Sequence, residues 1–271
     1  MKTTKQSLGL RKTFQSLKHY PIRVSFLFSL LFFSLNAQSQ SDDLLEQPKT
    51  IGLKTFKTLS VNSGIVLNLI PSDQNKMIVY GDRYNSVVIK EKGETLKINT
   101  RFSELIYFDQ PFIDLYYSEQ LENIKLHQGS VVEAVRPIKT SQLLLKAHEG
   151  SQFTGEIKAN FLNSKVHTGS FLKLSGHVQN HLLKVRTGGV CLSQDLITEQ
   201  TIVNASTGGD GIIYSEKEVF AKVVLGGYIS ISGNPKKINA SRLFGGEILD
   251  SRYVNNTKIK RYNFKHQQRK N

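Results

Sequence analysis

The sequence predicts an all-β protein: a parallel β-helix of ~19-residue coils, covered at its N-terminal end by an irregular set of β-strands. Three observations carry this. A Gly-Ser or Gly-Gly pair recurs at Gly129, Gly150, Gly169, Gly188, Gly208, Gly226 and Gly245, with spacings of 21, 19, 19, 20, 18 and 19 residues. Within a repeat, apolar or small residues alternate with polar ones at period two, the mark of a half-buried strand. No stretch of this half offers apolar residues at i, i+3, i+4 and i+7, so helices are not expected.

Taken in order, residues 1–40 read as a secretory signal. Lys2, Lys5, Arg11, Lys12, Lys18 and Arg23 precede an apolar run from Val24 to Leu35, and Asn36-Ala37-Gln38-Ser39 supplies a small, polar cleavage region. A twelve-residue run falls short of the ~20 residues needed to span a bilayer, so no stable membrane span is expected after cleavage. Removing residues 1–40 lowers Lys plus Arg from 36 to 30 against 22 acids, and the net charge from +14 to about +8. Residues 41–52 read as a linker. Residues 53–120 read as the cap, with strands at Phe56–Val61, Ile65–Ile70, Met77–Tyr80, Ser86–Lys90 and Leu96–Asn99, then an aromatic edge segment from Leu105 to Tyr117 interrupted by Pro111.

The repeats occupy residues 121–250 and form one domain with the cap. About 19 residues are too few for a strand, a helix and a strand, but suit short strands joined by corners. The glycines belong at those corners, where positive φ or a close approach is needed, and Asn234-Pro235 marks another. Leu162, Ser164, Val166, Thr168, Ser170, Leu172 and Leu174 share the inner parity, with Val185, Thr187, Gly189 and Cys191, and then Val223, Leu225, Gly227, Ile229 and Ile231, on the same positions in other coils. Parallel crossovers take the right hand, so the helix should be right-handed. Residues 251–271 form a basic tail with Lys258, Lys260, Arg261, Lys265, Arg269 and Lys270, and read as a solvated terminus.

The run Phe56–Val61 through Ile65-Val66-Leu67, the Gly93–Ile98 segment, the glycine repeats and the stretch Ile231–Ile238 come in a specific order and spacing. Together, over about residues 53–249, they resemble the autotransporter adhesin head GIN domain family. The resemblance implies a right-handed single-stranded β-helix in a secreted or envelope protein of Bacteroidetes-type bacteria, and brings no catalytic motif. Later repeats here carry Gly-Gly where the family pattern more often shows Ser-Gly-Ser.

Candidate chemistry is sparse. Cys191, the only cysteine, excludes a disulfide framework, and its inner parity makes it a core residue. Two positions before each glycine stand His127, His148, His167 and then Arg186, an outward ladder that could titrate as a group or hold a transition metal. No short ligand spacing supports a closed zinc site, so neither a metal nor a cofactor is expected. Asp195, Glu199 and Asp210 lie in adjacent repeats and could line a groove, but calcium-binding coils would carry an Asp each, and the glycine corners lack the lysine and helix of a phosphate loop. Two functions stay open. One is an exported, non-catalytic scaffold or adhesin in the periplasm, on the outer-membrane surface or outside the cell, binding glycan or protein and not nucleic acid; the other is a polysaccharide lyase or hydrolase built on the β-helix.

Overall fold

Period-two alternation becomes strand throughout. The computed structural model describes residues 48–81, 84–101 and 111–250, where the regular structure is β apart from one 3-10 turn at Tyr84–Ser86. The expected signal segment, residues 41–47 of the linker, most of the aromatic stretch before Pro111 and the basic tail lie outside the described residues. The N-terminal strands are β1 (Lys49–Gly52), β2 (Thr58–Val61), β3 (Val66–Pro71), β4 (Lys76–Tyr80), β5 (Val87–Lys92), β6 (Thr95–Thr100) and β7 (Phe112–Tyr117). The repeats supply β8 (Asn123–Leu126), β9 (Val131–Ala134), β10 (Ile138–Ala147), β11 (Gln152–His167), β12 (Phe171–Arg186), β13 (Val190–Ser206), β14 (Asp210–Ser215), β15 (Glu218–Val224), β16 (Tyr228–Gly233), β17 (Lys237–Leu243) and β18 (Glu247–Asp250).

These strands wrap a β-solenoid. Its first face stacks β5, β6, β2, β8, the later arms of β10 to β13, then β15 and β17. The second stacks β1, β4, β7, β3, β9, the earlier arms of β11 to β13, then β14, β16 and β18. Pairing within the stack is parallel. Among the described residues, antiparallel pairing is confined to β1 with β4, β4 with β7 and β5 with β6, which flank the N-terminal coils. The coil of β2 and β3 is inserted between that of β6 and β7 and that of β8 and β9, so chain order and stacking order differ here. Residues 49–52, expected as linker, form β1 against β4.

Each corner on one edge is a pair of left-handed residues. Gln128, Glu149, Thr168, Thr187, Thr207, Leu225 and Phe244 have φ between 51° and 58°, each followed by its glycine at 68° to 83°. The expectation that Thr168, Thr187 and Leu225 continue the inner parity is wrong. All three are exposed, because an αL pair is not extended and alternation restarts after it. The corners stack through backbone bonds: Gly129 N–H donates to Glu149 O at 2.9 Å, Gly150 to Thr168 O at 3.0 Å and Gly169 to Thr187 O at 3.1 Å. Ser63-Gly64 makes the same turn in the N-terminal coil, with Gly64 N–H donating to Gln128 O at 2.8 Å.

The third corner position points inward. There Ser130 and Ser151 donate their hydroxyls to Val61 O and Leu126 O of the preceding coil. In later coils the backbone comes too close even for that. A Cβ on Gly209 would sit 2.6 Å from the Val185 carbonyl, which explains glycine in place of serine. A β-branched residue in the left-handed region is strained by ~1–2 kcal/mol. Thr187→Asn should therefore stabilise the chain by about 0.5–1 kcal/mol, read as a higher denaturant midpoint; an unchanged or lower midpoint would show that the corner stores no strain.

The uneven coil lengths have local causes. Two extra residues at Val135–Pro137 account for the 21-residue coil, since Glu133 to Ile138 spans five positions where Thr154 to Ile157 spans three. A bulge opposite Lys173 and Ser175 gives the 20-residue coil, and a shortened corner between β14 and β15 the 18-residue one. The interior is a set of apolar columns. Phe153, Leu172, Cys191 and Ile229 follow one another in register with Gly211, and all four are fully buried. Burial pushes the Cys191 thiol up to about 12, which leaves it an inert core residue.

Candidate functional site

The outer side of the first face carries the chemistry. β8, β10, β11 and β12 each present a five-residue segment there: Asn123-Ile124-Lys125-Leu126-His127, Leu144-Leu145-Lys146-Ala147-His148, Asn163-Ser164-Lys165-Val166-His167 and Leu182-Leu183-Lys184-Val185-Arg186. The second and fourth residues are core, so the first, third and fifth project outward together. Parallel pairing holds the segments in register, Lys125 beside Lys146, Lys146 beside Lys165 and Lys165 beside Lys184. Three rows result, with ~4.8 Å between residues of a row.

His127, His148 and His167 stand in one row. The rings of His127 and His148 stack at 5.4 Å and 20°, and those of His148 and His167 at 4.7 Å and 11°. Arg186 continues the row beside His167. Nearly parallel rings keep their nitrogens in separate planes and do not converge them on a point, the geometry of a titrating stack more than of a metal cage. Burial first, then the neighbouring His127, Lys146 and Lys165, lowers the pKa of His148 against the opposing pull of Glu149. His167 is lowered by burial, then by His148, Arg186 and Lys165. Both imidazoles are thereby kept neutral to lower pH than an ordinary histidine.

The lysine row is the part that sequence reasoning missed. Its signal was present, a lysine four positions before each of the first four corner glycines. Among the described residues no carboxylate pairs with Lys125, Lys146, Lys165 or Lys184, and Lys146 is lowered by burial and by Lys165 and Lys125. Elsewhere the solenoid places opposite charges together: Lys217 meets Glu199 at 2.6 Å and Lys237 meets Glu218 at 2.6 Å. A groove of about 380 Å³ runs beside the rows, with Glu122, Asn123, Leu144, Phe161 and Asn163 among its lining residues.

The acids are not brought together. Glu199 is engaged by Lys217, Asp195 sits just after the bulge, and Asp210 pairs with Val190 at the start of β13. Along β13, five strand positions separate the level of Asp210 from Asp195 and four more lead to Glu199, with the bulge and the bend from the second face to the first between them. Sequence reasoning also passed over His181. It lies inside the stack, 2% exposed, with Nε2 3.1 Å from Ser164 Oγ.

Solved structures share this architecture. A "putative adhesin" from Bacteroides fragilis superimposes with a TM-score of 0.69 at 18% identity, covering 74% of this chain and 95% of its own. A "putative adhesin" from Parabacteroides merdae does so at 0.60 and 14%, covering 74% and 94%. A "putative lipid binding protein" from Parabacteroides distasonis gives 0.56 and 16%, covering 75% and 96%. At these identities the likeness speaks for the fold. No curated protein sequence matches the chain. The family described as "Putative auto-transporter adhesin, head GIN domain" matches residues 55–235, two-thirds of the sequence and the whole run of corners from Ser63-Gly64 to Gly226-Gly227, and the chain belongs to that family.

Proposed function

We propose that the protein is an exported, non-catalytic binding scaffold of the cell envelope or surface, whose first face holds a carbohydrate. The observation that carries this is the in-register array of outward side chains on β8, β10, β11 and β12, which offers a repeating ligand the same contacts at each coil. A polar, cationic strip suits sugar hydroxyls and acids better than it suits an acyl chain, so glycan is preferred to the lipid for which one of the solved proteins is named. The pairing of Glu199 with Lys217 supports binding over hydrolysis, because it engages one of the acids on which a hydrolase reading rests.

A glycan array run beside lyase and hydrolase assays on the retained polymers tests this. Selective retention without new reducing or unsaturated chain ends is expected. Turnover of a retained polymer would make the protein an enzyme, and retention of no glycan would remove carbohydrate as the ligand.

A further inference from the structure

We propose that the face formed by β8, β10, β11 and β12 is a track for a linear anionic polysaccharide, lying along the stack with its acidic groups on the rows Lys125, Lys146, Lys165, Lys184 and His127, His148, His167, Arg186. This rests on the glycan-scaffold reading and narrows it to one chemistry. Like charges on neighbouring strands oppose each other and destabilise the sheet. Four consecutive lysines stacked without an acid, with three imidazoles and a guanidinium alongside, are therefore an arrangement that stability alone does not select.

Protection against aggregation does not explain the rows. Lysines that discourage sheet-to-sheet pairing sit on edge strands, and β8, β10, β11 and β12 are each hydrogen-bonded on both sides. Nor is the chain unable to pair its charges, as Lys217 with Glu199 and Lys237 with Glu218 show. Glu149 faces His148, but the lysine row stays unneutralised while acids are supplied to lysines elsewhere on the same fold. An anion from outside completes the row.

The spacing favours a glycan over other polyanions. Charges recur every ~4.8 Å along a row, close to the advance of one sugar in an extended chain and longer than the about 3.4 Å of helix axis per phosphate on a strand of duplex DNA. Single-stranded nucleic acids are held by aromatic side chains interleaved with the cations. The three rows here contain none besides the imidazoles. The outermost row instead alternates Asn123, Leu144, Asn163 and Leu182, an amide at every second coil with an apolar patch between. Amides bond hydroxyls and leucines cover the C–H face of a sugar ring, so the alternation fits a polymer with a two-sugar repeat. Asn163 lines the groove, and its Oδ1 is buried and accepts no hydrogen bond from the protein.

The test uses the full-length chain and chondroitin sulfate, which carries an acid on each sugar, with desulfated chondroitin, neutral dextran and single-stranded DNA as comparison probes. Binding to chondroitin sulfate should weaken as salt rises and should be at least tenfold tighter than to the desulfated polymer. K146Q/K165Q should lose at least tenfold. K217Q/K237Q removes two charges that are already paired and should lose nothing. All three proteins keep the basic tail, so binding through it would leave them equal and overturn the proposal, as would an equal loss in both variants. Dextran held as tightly as chondroitin sulfate would overturn the polyanion track and leave the glycan scaffold standing. Retention of no glycan would overturn both, and tighter binding of DNA with the same sensitivity to K146Q/K165Q would make the track one for nucleic acid.

Discussion

Below pH 6.5 the solenoid should lose stability steeply, by about 3 kcal/mol on reaching pH 4, largely through one side chain. His181 lies in an interior column between Leu162 and Thr201, fully enclosed, with Ser164 Oγ on Nε2 and no partner on Nδ1. Burial lowers its pKa to about 3. In the unfolded chain an exposed histidine takes up its proton near pH 6.5. The folded state refuses that proton until about pH 3, so the unfolded state binds more protons throughout the interval. Stability is intact above pH 6.5 and falls by about 1.4 kcal/mol per unit as the pH drops through the window. His181→Leu restores the residue type found at Leu143 and Leu162 in the same column. Denaturant midpoints of this variant should be nearly flat from pH 7 to 5 while the wild type declines. An equal slope in both would place the acid sensitivity elsewhere, for instance on His148 and His167, whose lowered pKa values act in the same direction.

His181 also shows what the sequence made legible. It shares the parity of Leu183 and Val185, so alternation alone puts it inside. What alternation does not tell is whether an interior histidine finds a partner, because Ser164 comes from the preceding coil. The corners were legible as a period, since the αL pair needs glycine at its second position in every coil. Their shape was not, because threonine at the first position is the wrong residue for positive φ. Thr168 and Thr187 were therefore placed inside by a parity that the turn interrupts. The N-terminal coil was hidden for another reason. Ser63-Gly64 stacks on Gln128-Gly129 across an insertion that carries β4 to β7, and a break of that length erases the period while leaving the contact. The candidate site was half visible. Its histidines stand out because the residue type is rare, whereas four lysines at the same spacing pass for an ordinary solvated surface.

Acid should also switch the face itself, within the range where the fold survives. At neutral pH the array presents Lys125, Lys146, Lys165, Lys184 and Arg186, while His148 and His167, whose pKa values lie below the usual 6.5, are uncharged. Acidification adds cations directly beside the lysines. Each charge next to a bound anion on a partly exposed surface contributes about 0.5 kcal/mol, so protons on His148 and His167 amount to roughly fivefold in affinity. Dextran sulfate is the suitable probe because its own charge does not titrate, and the comparison stops at pH 5, where the loss of stability caused by His181 amounts to about 2 kcal/mol. Affinity should rise mainly below pH 6, since burial and the neighbouring cations delay protonation. High salt should flatten the rise by screening the added charges. The triple variant H127Q/H148Q/H167Q keeps side chains that can bond sugar hydroxyls and should bind at pH 7.5 like the wild type, with no strengthening on acidification. Glu149 faces His148 and opposes the lysines in setting the midpoint, so Glu149→Gln should shift the rise to lower pH without abolishing it. A triple variant with the wild-type pH profile would mean that the imidazoles do not meet the anion, and that the lysine row binds without them.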